Sequence, residues 1–209
     1  MKHIHKLQNL NKIHALDPSG PEYFGCDQNW YDTEWQRMSG CGPSTASTLL
    51  LYLQKTGRIE LPVKVNAQKD CRLLMETVWE HVTPTPNGIY RVEQFCQGLK
   101  SFADKNGFSL QCHDLMIDAQ SDRRPSLKAA ASFIEKSLDQ DCPIAFLNLC
   151  NGTVQNLEEW HWVTIVALEY DDEDNEATVT IFDGDKAEEI DFGCWLTTTT
   201  EGGALVYLS

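Results

Sequence analysis

The hydrophobic pattern of this chain changes at about residue 140, and that change constrains its fold more than any other feature. Before it, apolar segments have the length and spacing of helices, predicted at about 42–55, 66–81, 89–105 and 126–139, with one short strand at 108–112. After it, short apolar runs predict strands at 143–150, 161–170, 177–183, 188–192 and 204–208. Helices followed by an antiparallel sheet indicate an α+β fold.

The pattern also predicts the domain organisation. Residues 1–25 are polar and contain the turn-forming run Asp17-Pro18-Ser19-Gly20-Pro21, which predicts an irregular N-terminal arm. Residues 26–209 are predicted to form a single domain, helical to about residue 140 and β-structured after it. The chain has 209 residues, of which 42% are hydrophobic, so it is long enough for a substantial core.

The charge and the cysteines limit the function classes. Nucleic acids and anionic membrane surfaces would repel a chain with a net charge of −14. The sequence has no segment of transmembrane length and no apolar secretion signal at its start, which predicts a cytosolic protein. The eight cysteines are therefore predicted to be reduced and mostly buried. No Cys-x-x-Cys or paired histidines occur at metal-ligand spacing, so neither a metal nor a cofactor is expected.

One of the eight thiols begins a helix. Cys41 lies in the run Gly40-Cys41-Gly42-Pro43-Ser44-Thr45, directly before the apolar segment of the predicted helix 42–55. A helix N-terminus has unpaired N–H groups and partial positive charge, which favour a thiolate. A buried structural thiol is the common alternative, but the flanking glycines leave this sulfur uncrowded. Cys41 is therefore the candidate nucleophile.

A histidine and a carboxylate lie at the ends of two later strands. His161 begins the strand that follows the loop 151–156, where an imidazole can reach a cleft and act as a general base. Asp183 ends the next strand, and antiparallel pairing would bring it beside His161, where it could orient the ring. Asp185 is an alternative, and both aspartates also suit a tight turn. Asp183 is favoured.

Acyl-transfer chemistry also needs hydrogen-bond donors for the developing oxyanion. The Cys41 backbone N–H is one candidate, and the side-chain amide of Gln36 is the second. An ordinary surface glutamine explains Gln36 equally well at this stage.

These motifs resemble the papain-like cysteine peptidases, and most closely the bacterial C39-type peptidases that process bacteriocins. The resemblance rests on Gln36 and the Cys-Gly-Pro motif at Cys41, on Trp160-His161-Trp162-Val163, and on Asp183. It implies a helical half that carries the nucleophile helix packed on an antiparallel sheet half. It also implies Cys41 as nucleophile, His161 as base, Asp183 as orienting group and Gln36 as oxyanion donor. Gln36 lies five residues before Cys41, one fewer than the family spacing.

The leading functional prediction is a cysteine peptidase that cleaves peptide or amide bonds through a thioester, with a peptide or protein as its partner. An acyltransferase or transglutaminase-like enzyme on the same triad is an alternative, as is a catalytically silent peptide-binding module. The sequence leaves the oligomeric state open.

Overall fold

The computed structural model describes residues 1–16 and 22–209, so the run Asp17-Pro18-Ser19-Gly20-Pro21 lies outside the described residues. The α-helices are α1 (Glu34–Ser39), α2 (Cys41–Lys55), α3 (Gln68–Trp79), α4 (Val92–Asn106), α5 (Leu127–Asp139) and α6 (Phe192–Thr198). The strands are β1 (Lys2–Lys6), β2 (Ala15–Leu16), β3 (Glu22–Tyr23), β4 (Cys112–Ile117), β5 (Ile144–Asn148), β6 (His161–Asp171), β7 (Glu176–Asp183), β8 (Lys186–Asp191) and β9 (Gly203–Leu208). Short 3₁₀ turns cover Leu10–Lys12, Gln28–Trp30 and Ser121–Arg123.

The strands form one large antiparallel sheet in the order β4-β9-β5-β6-β7-β8, and β2 pairs only with β3. Strand β6 is the long central strand. The first half of β6 pairs with β5, and its second half pairs with β1, from Lys6 opposite Ala167 to Lys2 opposite Asp171. The other edge of β6 pairs with β7, with a register shift between Ile165 and Ala167. The beginning of β6 therefore lies well inside the sheet.

Apolar residues pack on both faces of this sheet, as strand alternation requires. On β5, Ile144 and Phe146 face the core that includes α5 and α6, whereas Ala145 and Leu147 face the core of α2, α3 and α4. Helix α2 is buried from Gly42 to Leu53, so it is a core helix as its sequence predicts. The predicted α+β class is confirmed: a helical half packs on an antiparallel sheet half.

Helix α2 is fixed to the head of β6 by polar and aromatic contacts. The Thr45 hydroxyl donates a hydrogen bond to the Trp162 carbonyl at 3.1 Å. The buried Trp162 ring stacks on Phe95 of α4 with ring centroids 4.3 Å apart, and its indole N–H donates to the Ile89 carbonyl. These contacts bring the first turn of α2 next to the first residues of β6.

Several sequence predictions were wrong in detail. The N-terminal arm was predicted to be irregular, but Lys2–Lys6 form β1, because β6 extends past β5 and offers a free edge. The strand predicted at 108–112 begins only at Cys112 and runs to Ile117. Helix α1 lies in a segment for which no helix was predicted, although its capping box of Thr33 and Gln36 is a recognisable start signal. No described helix is long and apolar enough to cross a membrane.

Candidate active site

Cys41 is the first residue of α2 and is half-buried. Helix α1 ends at Ser39, and Gly40 alone connects the two helices. A Cβ on Gly40 would lie 2.4 Å from the Gln36 carbonyl oxygen and 2.7 Å from the Tyr31 ring, so only glycine fits this junction. The tight junction holds the thiol at the open N-terminal end of a buried helix, where unpaired N–H groups concentrate.

His161 and Asp183 lie side by side on the paired strands β6 and β7. The His161 Nε2 atom is 2.9 Å from an Asp183 carboxylate oxygen, and the His161 residue is only 7% exposed. The structure therefore brings Asp183 to the imidazole, and the bond is made by Asp183 rather than by Asp185. Since Asp183 occupies Nε2, Nδ1 is the ring nitrogen left for the thiol.

The Cys41 side chain interacts with the same imidazole and favours its charged form, so the three side chains form one electrostatically coupled group. Burial alone would lower the pKa of His161, but the hydrogen bond that its ring donates to Asp183 and the interaction with Cys41 outweigh burial and raise that pKa to about 10. The imidazolium is thus stabilised at neutral pH, as an ion pair with a thiolate requires.

The side chain of Gln36 is hydrogen-bonded to residues outside this group. Its amide oxygen accepts hydrogen bonds from the backbone N–H and hydroxyl of Thr33 in the capping box of α1. Its amide nitrogen donates to Glu76 at 2.7 Å. The amide nitrogen predicted to hold an oxyanion therefore donates one of its two N–H groups to a carboxylate, and the contacts of the amide oxygen correspond to a helix-capping role.

A different glutamine lies on the active-site side. Gln28, in the 3₁₀ turn before α1, lines a narrow cavity together with Cys41 and Asp183. Its Oε1 atom is buried and has no hydrogen-bond partner among the described residues. An unpaired buried acceptor is costly and calls for an explanation, and the Nε2 group of the same amide is its hydrogen-bond donor. No sequence pattern points to Gln28, because it lies thirteen positions before Cys41 and only folding brings the two together.

The turn that carries Asp183 is clamped by the segment before Gln28. The Phe24 N–H donates to the Gly184 carbonyl at 2.8 Å, and the buried Asp27 carboxylate packs against Gly184. Gly184 has a left-handed φ of 59°, which glycine adopts without strain. Burial raises the pKa of Asp27, hydrogen bonds from Asn29 oppose the rise, and the charges of Asp185 and Asp183 add to it.

The other seven thiols are not part of this coupled group. All eight cysteines are free; Cys26, Cys71 and Cys142 are buried, and the others are half-buried. A hydrogen bond from Thr200 lowers the pKa of Cys150, which makes it a second candidate for thiol reagents. Within residues 1–16 and 22–209, no group of three or more His, Cys, Asp or Glu side chains is arranged to hold a metal ion.

The fold belongs to a recognisable structural class: the chain has a papain-like α+β fold. Among the solved structures that it resembles is the crystal structure of UfSP from C. elegans, with a TM-score of 0.59 and 9% sequence identity. The match covers 99% of this chain and 34% of that one, so this chain spans about a third of the length of UfSP. At this identity the similarity shows the fold alone. No protein family model and no curated protein matches the chain.

Proposed function

We propose that the chain is a cysteine peptidase, a thiol hydrolase that uses Cys41 as nucleophile, His161 as general base and acid, and Asp183 as orienting group. One observation carries this proposal: a single buried imidazole is hydrogen-bonded to Asp183 at 2.9 Å and is electrostatically coupled to the thiol that begins a buried helix. A merely structural histidine would not need both partners at the entrance of a cleft.

The chemistry follows from this arrangement. His161 Nδ1 takes the thiol proton, and the Cys41 sulfur forms a bond to the substrate carbonyl carbon. The carbonyl oxygen becomes an oxyanion, for which the Cys41 backbone N–H is a donor, and we assign the Gln28 amide as the second in place of Gln36. When the C–N bond breaks, His161 protonates the departing amine. Water then attacks the thioester and gives its proton to His161. The C–S bond breaks, the carboxylic acid is released, and the proton on His161 regenerates the free thiol.

The finer predictions from the sequence remain part of this proposal. The relationship to C39-type bacterial peptidases is supported by the motifs around Cys41 and His161. A cytosolic location is supported by the free state of all eight thiols. A peptide or protein is the substrate that we propose. Acyl transfer on the same triad would appear as an aminolysis product if an amine were added to the casein assay described below.

The test compares two thiol variants, Cys41→Ala and Cys150→Ala. We expect the wild type to hydrolyse fluorescein-labelled casein and to react with a peptidyl epoxide on Cys41, as read by mass spectrometry. Cys41→Ala should lose about 10³-fold or more in kcat/KM, since the nucleophile is removed. Cys150→Ala should keep activity. Labelling of Cys150 with activity preserved in Cys41→Ala would refute the proposal.

A further inference from the structure

The narrow cavity beside Cys41 has room for a single water molecule. The space open to the centre of a water-sized sphere in it is about 10 Å³, and one buried water needs about 10–15 Å³. Such a cavity holds a water only where it offers two or more hydrogen-bonding groups. Its lining includes the polar side chains of Gln28, Ser44, Thr45, Thr48, Thr164 and Asp183.

Some of these polar groups already have protein partners, and two do not. The Thr45 hydroxyl donates to a backbone carbonyl of β6, and the Thr48 hydroxyl accepts from a backbone N–H and donates to a carbonyl of α2. One Asp183 oxygen is bonded to the imidazole. In contrast, Gln28 Oε1 and Ser44 Oγ are buried and have no hydrogen-bond partner within residues 1–16 and 22–209. Two unpaired groups on one small cavity are what a bound water requires.

The Ser44 hydroxyl has one further polar neighbour, the phenol of Tyr31. Burial raises the pKa of Tyr31, and the nearby Ser44 hydroxyl opposes that rise. The phenol donates its own hydrogen to the Met75 carbonyl at 3.3 Å, so it has none for Ser44. Whichever way the Ser44 hydrogen points, its oxygen keeps a lone pair that can accept a hydrogen bond, and Gln28 Oε1 is also an acceptor. A water molecule has two hydrogens to donate, so it matches two acceptors.

The backbone of Gln28 is held firmly, so the torsions of its side chain decide where the amide lies. Asp27 is only 7% exposed and caps the 3₁₀ turn by accepting from the Asn29 N–H at 2.8 Å. The Tyr31 N–H closes the turn by donating to the Gln28 carbonyl. An oxyanion donor is effective only when it is placed in advance, and a misplacement of about 1 Å is costly. The unpaired end of the amide therefore needs a partner.

We propose that one ordered water binds in this cavity and donates hydrogen bonds to Gln28 Oε1 and Ser44 Oγ. The water fixes the Gln28 amide, so that its Nε2 group is held ready for the oxyanion. Ser44 is thus a positioning residue that acts through the water and Gln28 and does not touch the substrate. This inference rests on the proposed function, because acyl transfer is the reaction that needs the oxyanion donor.

The water is tested first, by crystal structures of the wild type, Ser44→Ala and Ser47→Ala. In the wild type we expect one water about 2.7–3.2 Å from both oxygens. Ser47 is the matched control, since it is buried on the same helix but donates to the Pro43 carbonyl and does not line the cavity. The Gln28 amide should move in Ser44→Ala and stay in place in Ser47→Ala. A wild-type cavity without water would overturn the inference, even if Ser44→Ala does not fold.

The positioning role is tested by a double-mutant cycle with Gln28→Met, which keeps the length of the side chain but has no amide. Gln28→Met should lower kcat at least about 100-fold, as expected for a lost oxyanion donor. Ser44→Ala should lower kcat about 3–10-fold with KM unchanged, because a water-mediated hydrogen bond that serves the transition state is lost. In the Gln28→Met protein, Ser44→Ala should change kcat less than about twofold. Ser47→Ala should change kcat less than about twofold in both backgrounds.

The inference and the proposed function can fail separately. If the losses from Ser44→Ala and Gln28→Met multiply, or if Ser44→Ala behaves like Ser47→Ala, the positioning role is overturned. If the water and the Ser44-dependent position of the Gln28 amide are found but the wild type does not cleave casein, the water site is supported and the peptidase activity is refuted. If the wild type is active and the water is missing, the peptidase activity is supported and this inference is overturned.

Discussion

The Asp183–His161 bond is the interaction whose removal should be most informative. Asp183→Asn keeps the shape of the side chain but removes the negative charge that favours the imidazolium. A hydrogen bond to a charged group contributes about 1.5–3 kcal/mol, and one pKa unit corresponds to about 1.36 kcal/mol. Because the Asp183 side chain is 34% exposed, solvent screening favours the lower value. The pKa of His161 should therefore fall from about 10 by about one pH unit or more.

The assay is an NMR titration of protein with labelled histidine, with the His161 signals assigned from His161→Ala. The pKa of His161 is raised above its ordinary value of 6.5. The stability contributed by the His161–Asp183 ion pair should therefore be fully present below pH 6.5 and lost as the pH rises through about 10. Asp185→Asn is the matched control, since Asp185 lies two residues along the same turn. A wild-type His161 that titrates near its ordinary value, or equal shifts in the two variants, would refute the reasoning.

Two further predictions concern stability. Gly184→Ala should destabilise the protein by about 2 kcal/mol in urea unfolding, because the left-handed φ and the contact with Asp27 both oppose a Cβ. Gly57 also has a left-handed φ but has open space around it, so Gly57→Ala should cost only about 1 kcal/mol. Tyr52→Phe removes a hydroxyl that donates to Asp141, and should cost about 1.5–3 kcal/mol at pH 7. Burial raises the pKa of Asp141, but the hydrogen bond from Tyr52 and other hydrogen bonds outweigh burial and lower that pKa. The cost should therefore shrink as the pH falls below 3.8, the ordinary Asp value, and a constant cost would contradict this account.

Packing, rather than access alone, explains the glycines around Cys41. The sequence suggested that Gly40 and Gly42 leave the sulfur uncrowded. In the structure, a Cβ on Gly42 would lie 3.0 Å from the Ile89 side chain, and one on Gly40 would overlap the Gln36 carbonyl. Both glycines allow close approach of neighbouring segments, which a sequence pattern cannot distinguish from an open site.

The two glutamines before Cys41 show the limit of reasoning from spacing. Gln36 was predicted because it lies a short distance before Cys41 in the chain. Its position three residues after Thr33 makes it the partner in a capping box, and Glu76 of α3 binds the remaining amide group. Gln28, farther away in sequence, is the glutamine that lines the cavity beside the thiol.

The sequence by itself determined the α+β class, the main helices and strands, and the placement of Cys41 and His161 at the starts of their elements. Those features depend on periodicity and end signals within a few residues, which a chain carries locally. Only the tertiary structure decided that Asp183 rather than Asp185 reaches the imidazole, that β1 joins the sheet, and that Gln28 and Ser44 line one narrow cavity beside the thiol. These depend on strand register and on side chains that meet from distant segments, because packing free energy is collective and no local pattern encodes it.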